Sequence, residues 1–249
     1  MTDPLDLYAP LDEPKPFGDD LWVVDGPVIR MRYGPFKLPF TTRMTVVRLE
    51  DGRLWVHSPI RLNETLRSAI DNLGEVAFLV APNRLHWVYL HHWQLAYPEA
   101  QVHAAPGVER HANRGRFRVD EKLGHTPPAG WGDEIGQVLV PGGFMTEAVF
   151  FHFASDTVIL TDLIENFEAE KIHGSFLRKV MRVGGVVHPH GSTPRDLRLT
   201  FLSKRDEVKV AVSRILDWQP KRIVLAHGRL IDADAPQALR AGLAWAGAD

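Results

Sequence analysis

Residues 75–82, EVAFLVAP, make a nearly unbroken apolar run between the turn signals Gly74 and Pro82. A strand that is apolar on both faces of its pleat needs cover on both sides, so the run calls for a layered α/β architecture rather than a sheet open to water. The 249-residue chain supplies material for such layers before and after it.

Upstream, the runs starting at Leu21 (LWVVDG), Val28 (VIRMRY), Met44 (MTVVRL) and Arg53 (RLWVHS) are short and rich in β-branched and aromatic residues. Glu50-Asp51-Gly52 fits a hairpin turn between the last two, so this half opens as antiparallel sheet. Leu62, Leu66, Ile70 and Leu73 then recur at helical spacing, with Asn63 as N-cap and Gly74 as stop. A helix over 86–97, patterned by Trp87, Tyr89, Trp93 and Tyr97, and a strand over 101–104 complete a strand-helix-strand unit with the central run. Residues 105–134 are rich in Gly and Pro, the composition of a loop insert that often borders a site.

The second half repeats the theme. Strands are expected from Ile135, Ala148 and Thr157, then basic helical tracts over 168–183 and 204–218, a strand from Arg222 and a helix over 235–246. Residues 1–20 carry four of the 18 prolines and read as an extended arm, with residues 21–249 as one domain. The expected fold is α/β, two mixed sheets packed face to face between helices.

With 29 Lys and Arg against 31 Asp and Glu, the net charge of −2 argues against a wholesale nucleic-acid binder. The balance is uneven: residues 171–229 hold 13 Lys or Arg against four acids, a local +9 read as solvated helix faces. The amphipathic tract around Phe176, Leu177, Val180, Met181 and Val183 has the pattern of a lipid-docking helix and equally of one covering a sheet; covering is the expectation. No apolar stretch reaches the roughly 20 residues that span a bilayer. The acidic opening MTDPLDLYAPLDEP is not a leader, so the expectation is a cytoplasmic protein without a membrane span. Cysteine is absent, which removes thiol nucleophiles and thiolate ligands and leaves the 12 His, with Asp, Glu and Asn, as metal donors.

Chemistry in α/β folds concentrates at the carboxyl ends of strands. Three apolar runs end in such groups: VAFLVAP in Asn83-Arg84-Leu85-His86, TVILT in Asp162, and RIVLA in His227-Gly228. Singly, each is an ordinary cap or hydrogen-bonded histidine; together they form the carboxylate-plus-imidazole set that a divalent ion needs. His188 and His190 form an HxH pair in a Gly/Pro-rich loop, His91 and His92 lie in the predicted helix, and His57 reads as structural.

The segments APNRLHW, PEAQVHAAPG, FFHFASDTVILTDLIEN and IVLAHG resemble the metallo-β-lactamase superfamily, and within it the branch called domain of unknown function 4336. The resemblance spans residues 20–230 and implies a four-layer helix-sheet-sheet-helix sandwich. It also implies HxHxDH after a central strand, then a later His, a bridging Asp and a last His, holding one or two metal ions. This sequence departs from that pattern. PNRLHW retains His86 and Asn83 where three His and an Asp are expected, and Pro141-Gly142-Gly143-Phe144 has no His. Asp162 matches the bridging Asp and His227 the last His. The implied remnant is one divalent ion (zinc, manganese or iron) on His86, Asp162 and His227, with Glu147 as a substitute ligand or base. Such a centre suits hydrolysis of a small ester, amide, thioester or phosphoester. The alternative is a metal-free, non-catalytic protein that binds a ligand or partner on the same fold.

Overall fold

The computed structural model describes residues 4–33 and 36–248. The chain enters the first sheet as β1 (Lys15–Gly18) and continues through the long hairpin β2 (Leu21–Tyr33) and β3 (Phe36–Arg48) into β4 (Arg53–His57). Helix α1 (Glu64–Asp71) leads to β5 (Glu75–Ala81), and α2 (Leu90–Ala96) leads to β6 (Gln101–Ala104). A short helix, α3 (Ala112–Gly115), precedes the two-residue strand β7 (Glu121–Lys122). These strands lie in sequence order in one sheet, antiparallel from β1 to β4 and parallel from β4 to β7.

Next come β8 (Ile135–Val140), β9 (Glu147–His152) and β10 (Thr157–Leu160). Helices α4 (Ser175–Gly184), α5 (Arg195–Phe201) and α6 (Arg205–Asp217) follow, then β11 (Arg222–Leu225) and α7 (Ala235–Leu243). The second sheet has the order β11-β10-β9-β8, with only the β10–β11 pair parallel.

Strand alternation builds the layers. In β9, Ala148 and Phe150 point into the core shared with the first sheet, and Val149 and Phe151 point to the opposite core. The same alternation places Ile159 and Val224 inward, and Val158, Leu160, Ile223 and Leu225 outward against Leu197, Phe201, Val212, Ile215 and Leu239 of α5, α6 and α7. On the far side of the first sheet, Leu66, Ile70, Leu90 and Trp93 of α1 and α2 cover β5, whose Val76 and Phe78 to Ala81 are buried. Helix, sheet, sheet and helix therefore follow the order the sequence leads one to expect. Truncating a hinge of this core such as Phe150, fully buried between the sheets, would cost about 3–5 kcal/mol.

Four local expectations are corrected. The helix expected over 86–97 starts at Leu90, because Asn83 accepts hydrogen bonds from the N–H groups of Leu85 and His86 and winds residues 83–89 into turns. The tract expected over 168–183 splits into a 3-10 turn at Ala169–Lys171 and an α-helix that starts only at Ser175, since Ile172 is extended and Gly174 has φ 89°. The tract expected from 204 is preceded by α5, in a stretch whose Gly and Pro content masks it. The runs at Leu21 and Val28 are one strand with an irregularity between Gly26 and Ile29. The described part of the N-terminal arm joins the fold through β1 and through bridges Leu5–Ile172 and Leu11–Asp25.

Candidate metal centre

Three strand ends converge. In the parallel β10–β11 pair Leu160 lies opposite Leu225, so Asp162 and His227, each two residues further on, emerge side by side. Strand β5 delivers Asn83 and His86 from the facing sheet; the N–H of Ala148 on β9 donates to the Pro82 carbonyl and stitches the sheets together at this edge. One donor atom from each of His86, Asp162 and His227 lies within 4.8 Å of the others, the only such group of three or more His, Asp or Glu among the described residues. Nε2 of His86 is 3.2 Å from Oδ2 of Asp162, and Nε2 of His227 is 3.3 Å from Oδ1. Metal–ligand bonds of about 2.0–2.2 Å put tetrahedral ligands roughly 3.3–3.6 Å apart, and the two separations, each to a different oxygen of Asp162, fall at or just below the short end of that range.

The hydrogen bonds behind the ring nitrogens decide what those nitrogens present. Nδ1 of His227 lies 2.8 Å from the Thr41 carbonyl oxygen, which can only accept, so Nδ1 carries the proton. In the neutral ring Nε2 then aims a lone pair at a carboxylate oxygen, an arrangement that needs a cation or a second proton. Nδ1 of His86 is 2.7 Å from Oγ of Ser58, which stands at φ 53°, in the left-handed region that side-chain-bearing residues seldom adopt. Partners behind metal-binding imidazoles fix tautomer and ring orientation in the same manner. The rings of Phe40 and Phe167 lie 5.4 Å and 6.2 Å from that of His227, and buried Arg43 donates to the carbonyls of Leu225 and Gly228 on either side of it. Asp25, itself paired with Lys15, holds Arg43 in turn.

Asp162 sits on a turn clamped by Glu147. One carboxylate oxygen of Glu147 accepts from the N–H groups of Thr161 and Leu163, and the other from the N–H of Asp162 and Nδ2 of Asn83. All four lone-pair directions are taken, and the side chain is fully buried. Glu147 therefore stands beside the cluster as a strut. Nδ2 of Asn83 also donates to Oδ2 of Asp162 at 2.6 Å, and among the described residues Oδ1 faces only Nε2 of His227. Burial and the charge of Asp162 push the Glu147 carboxyl up. Burial acts on Asp162 in the same sense, yet the neighbouring His86 and His227 hold it well below the usual carboxylate range.

Sequence reasoning missed four of these groups, namely Thr41, Arg43, Ser58 and Glu165. Glu165 is 6% exposed and accepts no hydrogen bond among the described residues. Burial pushes it up to about 8, countered by His227 and reinforced by Asp162 and Glu147. The first three reach the site through cross-sheet pairing, and no local motif marks them. His188, His190, His91 and His92 stay outside the cluster, and His57 is buried against Trp55 and Phe150.

A family model described as domain of unknown function (DUF4336) matches residues 28–111. No curated protein matches the chain. The fold recurs in the DIM-1 metallo-β-lactamase, at 12% identity and a TM-score of 0.61 over 99% of each chain. A putative diflavin flavoprotein from Nostoc is similar at 10% identity and a TM-score of 0.61, over 98% of this chain and 97% of that one. The Flv1 flavodiiron core from Synechocystis is similar at 11% identity and a TM-score of 0.64, over 98% of this chain and 62% of its own.

Proposed function

From a chain that has the metallo-β-lactamase fold and carries a DUF4336 segment over residues 28–111, we propose a hydrolase with one divalent ion on His86, Asp162 and His227. The ion is zinc, manganese or iron, and the substrate a small ester, amide, thioester or phosphoester. The observation that carries this reading is the convergence of Nε2 of His86 and Nε2 of His227 on the buried carboxylate of Asp162, with Nδ1 of His227 already committed to the Thr41 carbonyl.

When bound, the ion would supply Lewis acidity and bring a water near neutral ionisation. The chain's own groups do the rest. Thr41 and Ser58 fix the imidazoles, Asn83 and Glu147 fix the Asp162 turn, and the Phe40 and Phe167 rings keep one side of His227 dry. Two imidazoles and a carboxylate form the three-ligand set that leaves a position open in hydrolytic centres. Glu147, with no free lone pair, acts by positioning rather than as a base.

The test is elemental analysis of protein purified without chelator, followed by a panel of nitrophenyl carboxylic and phosphoric esters, thioesters and β-lactams. Near-stoichiometric metal and metal-dependent turnover, both lost in Asp162→Ala, is the expected outcome. Protein that is metal-free and also refuses added Zn²⁺, Mn²⁺ and Fe²⁺ would instead favour the non-catalytic binding role.

A further inference from the structure

The outer face of α4 is apolar where a covering helix should be polar. Its inner face buries Met181 and packs Leu177 on a small core with Leu5, Phe167, Ile172 and Val186. On the outside, Phe176 is 78% exposed, Val180 39% and Val183 60%. At 100° per residue these three fall within about 60° of arc, a continuous stripe along the helix. Exposed Lys179 and Arg182 follow next around the helix, and exposed Arg195 approaches Gly185 at its C-terminal end. From residue 171 to 195 the chain holds five Lys or Arg and neither Asp nor Glu. Scattered exposed apolar residues are ordinary, but three in register on one stripe beside cations that form no ion pair among the described residues are not.

The geometry points to α4 as a docking face for an anionic lipid surface. The partner's chemistry follows from pairing the two features. Phosphate headgroups answer Lys179, Arg182 and Arg195, and the acyl boundary beneath them takes Phe176, Val180 and Val183, the division found in interfacial amphipathic helices. A nucleic-acid backbone would satisfy the charges and leave the apolar stripe in water. A second copy of this chain would bury the stripe only by bringing one cationic segment against another. Phe167, which packs in the core beneath α4, also stacks on His227, so a docked α4 would hold the site close to the bilayer.

Co-sedimentation of the full chain with vesicles tests this. Phosphatidylcholine vesicles containing 30% phosphatidylglycerol, on the order of an anionic leaflet, should bind it, and pure phosphatidylcholine vesicles should not. Binding should weaken steeply between 50 and 500 mM NaCl, roughly spanning screening lengths of over 10 Å down to a few Å. Lys179→Glu with Arg182→Glu should reduce partitioning at least roughly tenfold, since each cation near such a surface is worth about fivefold. Phe176→Ser with Val180→Ser should reduce it comparably, with the melting temperature unchanged because both sites face solvent. The proposal is overturned by equal binding to neutral vesicles or by no binding to either. Loss of binding on charge reversal but not on Phe176→Ser would point to a soluble polyanion and overturn it as well, as would a lipid-free dimer abolished by Phe176→Ser.

Discussion

Nδ1 of His227 donates to the carbonyl oxygen of Thr41 at 2.8 Å, so the first sheet dictates which nitrogen the last strand's histidine offers to Asp162. The bond links residues 186 positions apart and makes the tautomer a property of sheet packing. Nitrogen-15 NMR at pH 8 should find Nδ1 protonated, with Nε2 bare before metal is added and strongly shifted afterwards. A proton on Nε2 in the metal-free protein would remove the argument for a cation. Metal at about 100 times its Kd should add about 2.7 kcal/mol to the stability, and Asp162→Ala should abolish that gain.

Ser58 tests the same logic on the other imidazole. Because its Oγ touches only the ring nitrogen that faces away from Asp162, Ser58→Ala should leave the fold in place and weaken metal binding by about 10–100-fold. Calorimetric titration with Zn²⁺ and Mn²⁺ would measure it. An unchanged affinity would mean that His86 is oriented by packing alone.

What the sequence makes legible here is whatever local pattern controls. The apolar runs of β5 and of β8 to β11 and the polar groups at the ends of β5, β10 and β11 are all written locally. His86, Asp162 and His227 could therefore be named before the fold was known. Thr41, Arg43 and Ser58 could not, because each becomes relevant only when β3 and β4 lie against the last strand and the β5 turn. Glu147 was visible as a polar residue opening a strand, but its role depends on three N–H groups that a distant turn aims at it. The start of α4 is masked in the sequence because Lys171, Leu177 and Arg178 continue a helical pattern across Gly174, whose φ of 89° breaks it.

Removing the clamp on the Asp162 turn has a sign and a size. Glu147→Ala would strand the N–H groups of Thr161, Asp162 and Leu163 in a fully buried space, and each such group costs about 1–3 kcal/mol unless water replaces the carboxylate. Glu147→Gln keeps one accepting oxygen for two of the donors but turns an amide N–H₂ toward the others. Urea unfolding should rank the stabilities wild type, then Gln, then Ala, and metal affinity should follow the same order because Oδ1 of Asp162 moves with its turn. A Gln variant with wild-type stability would contradict the strut that accepts at both oxygens.

Acid should destabilise the metal-free protein through histidines that are buried without charge. His57 lies fully buried between Trp55 and Phe150, its Nε2 without a partner among the described residues, and burial, with a smaller contribution from His86, pushes it down to about 3. Burial likewise pushes His103, packed on Trp131, down to about 4. The unfolded chain takes up a proton at each near pH 6.5 while the folded chain does not, so stability is full above about 6.5 and falls as pH drops below it. Each histidine contributes a slope of about 1.4 kcal/mol per pH unit until its folded value is reached, hence about 2 kcal/mol between pH 6.5 and 5. His57→Phe, whose ring can occupy the same slot between the two aromatics, should remove one share of that loss. Urea midpoints at pH 7.5, 6.0 and 5.0 would show it as a shallower decline than the wild type's, and parallel declines would mean that His57 is already charged in the folded state.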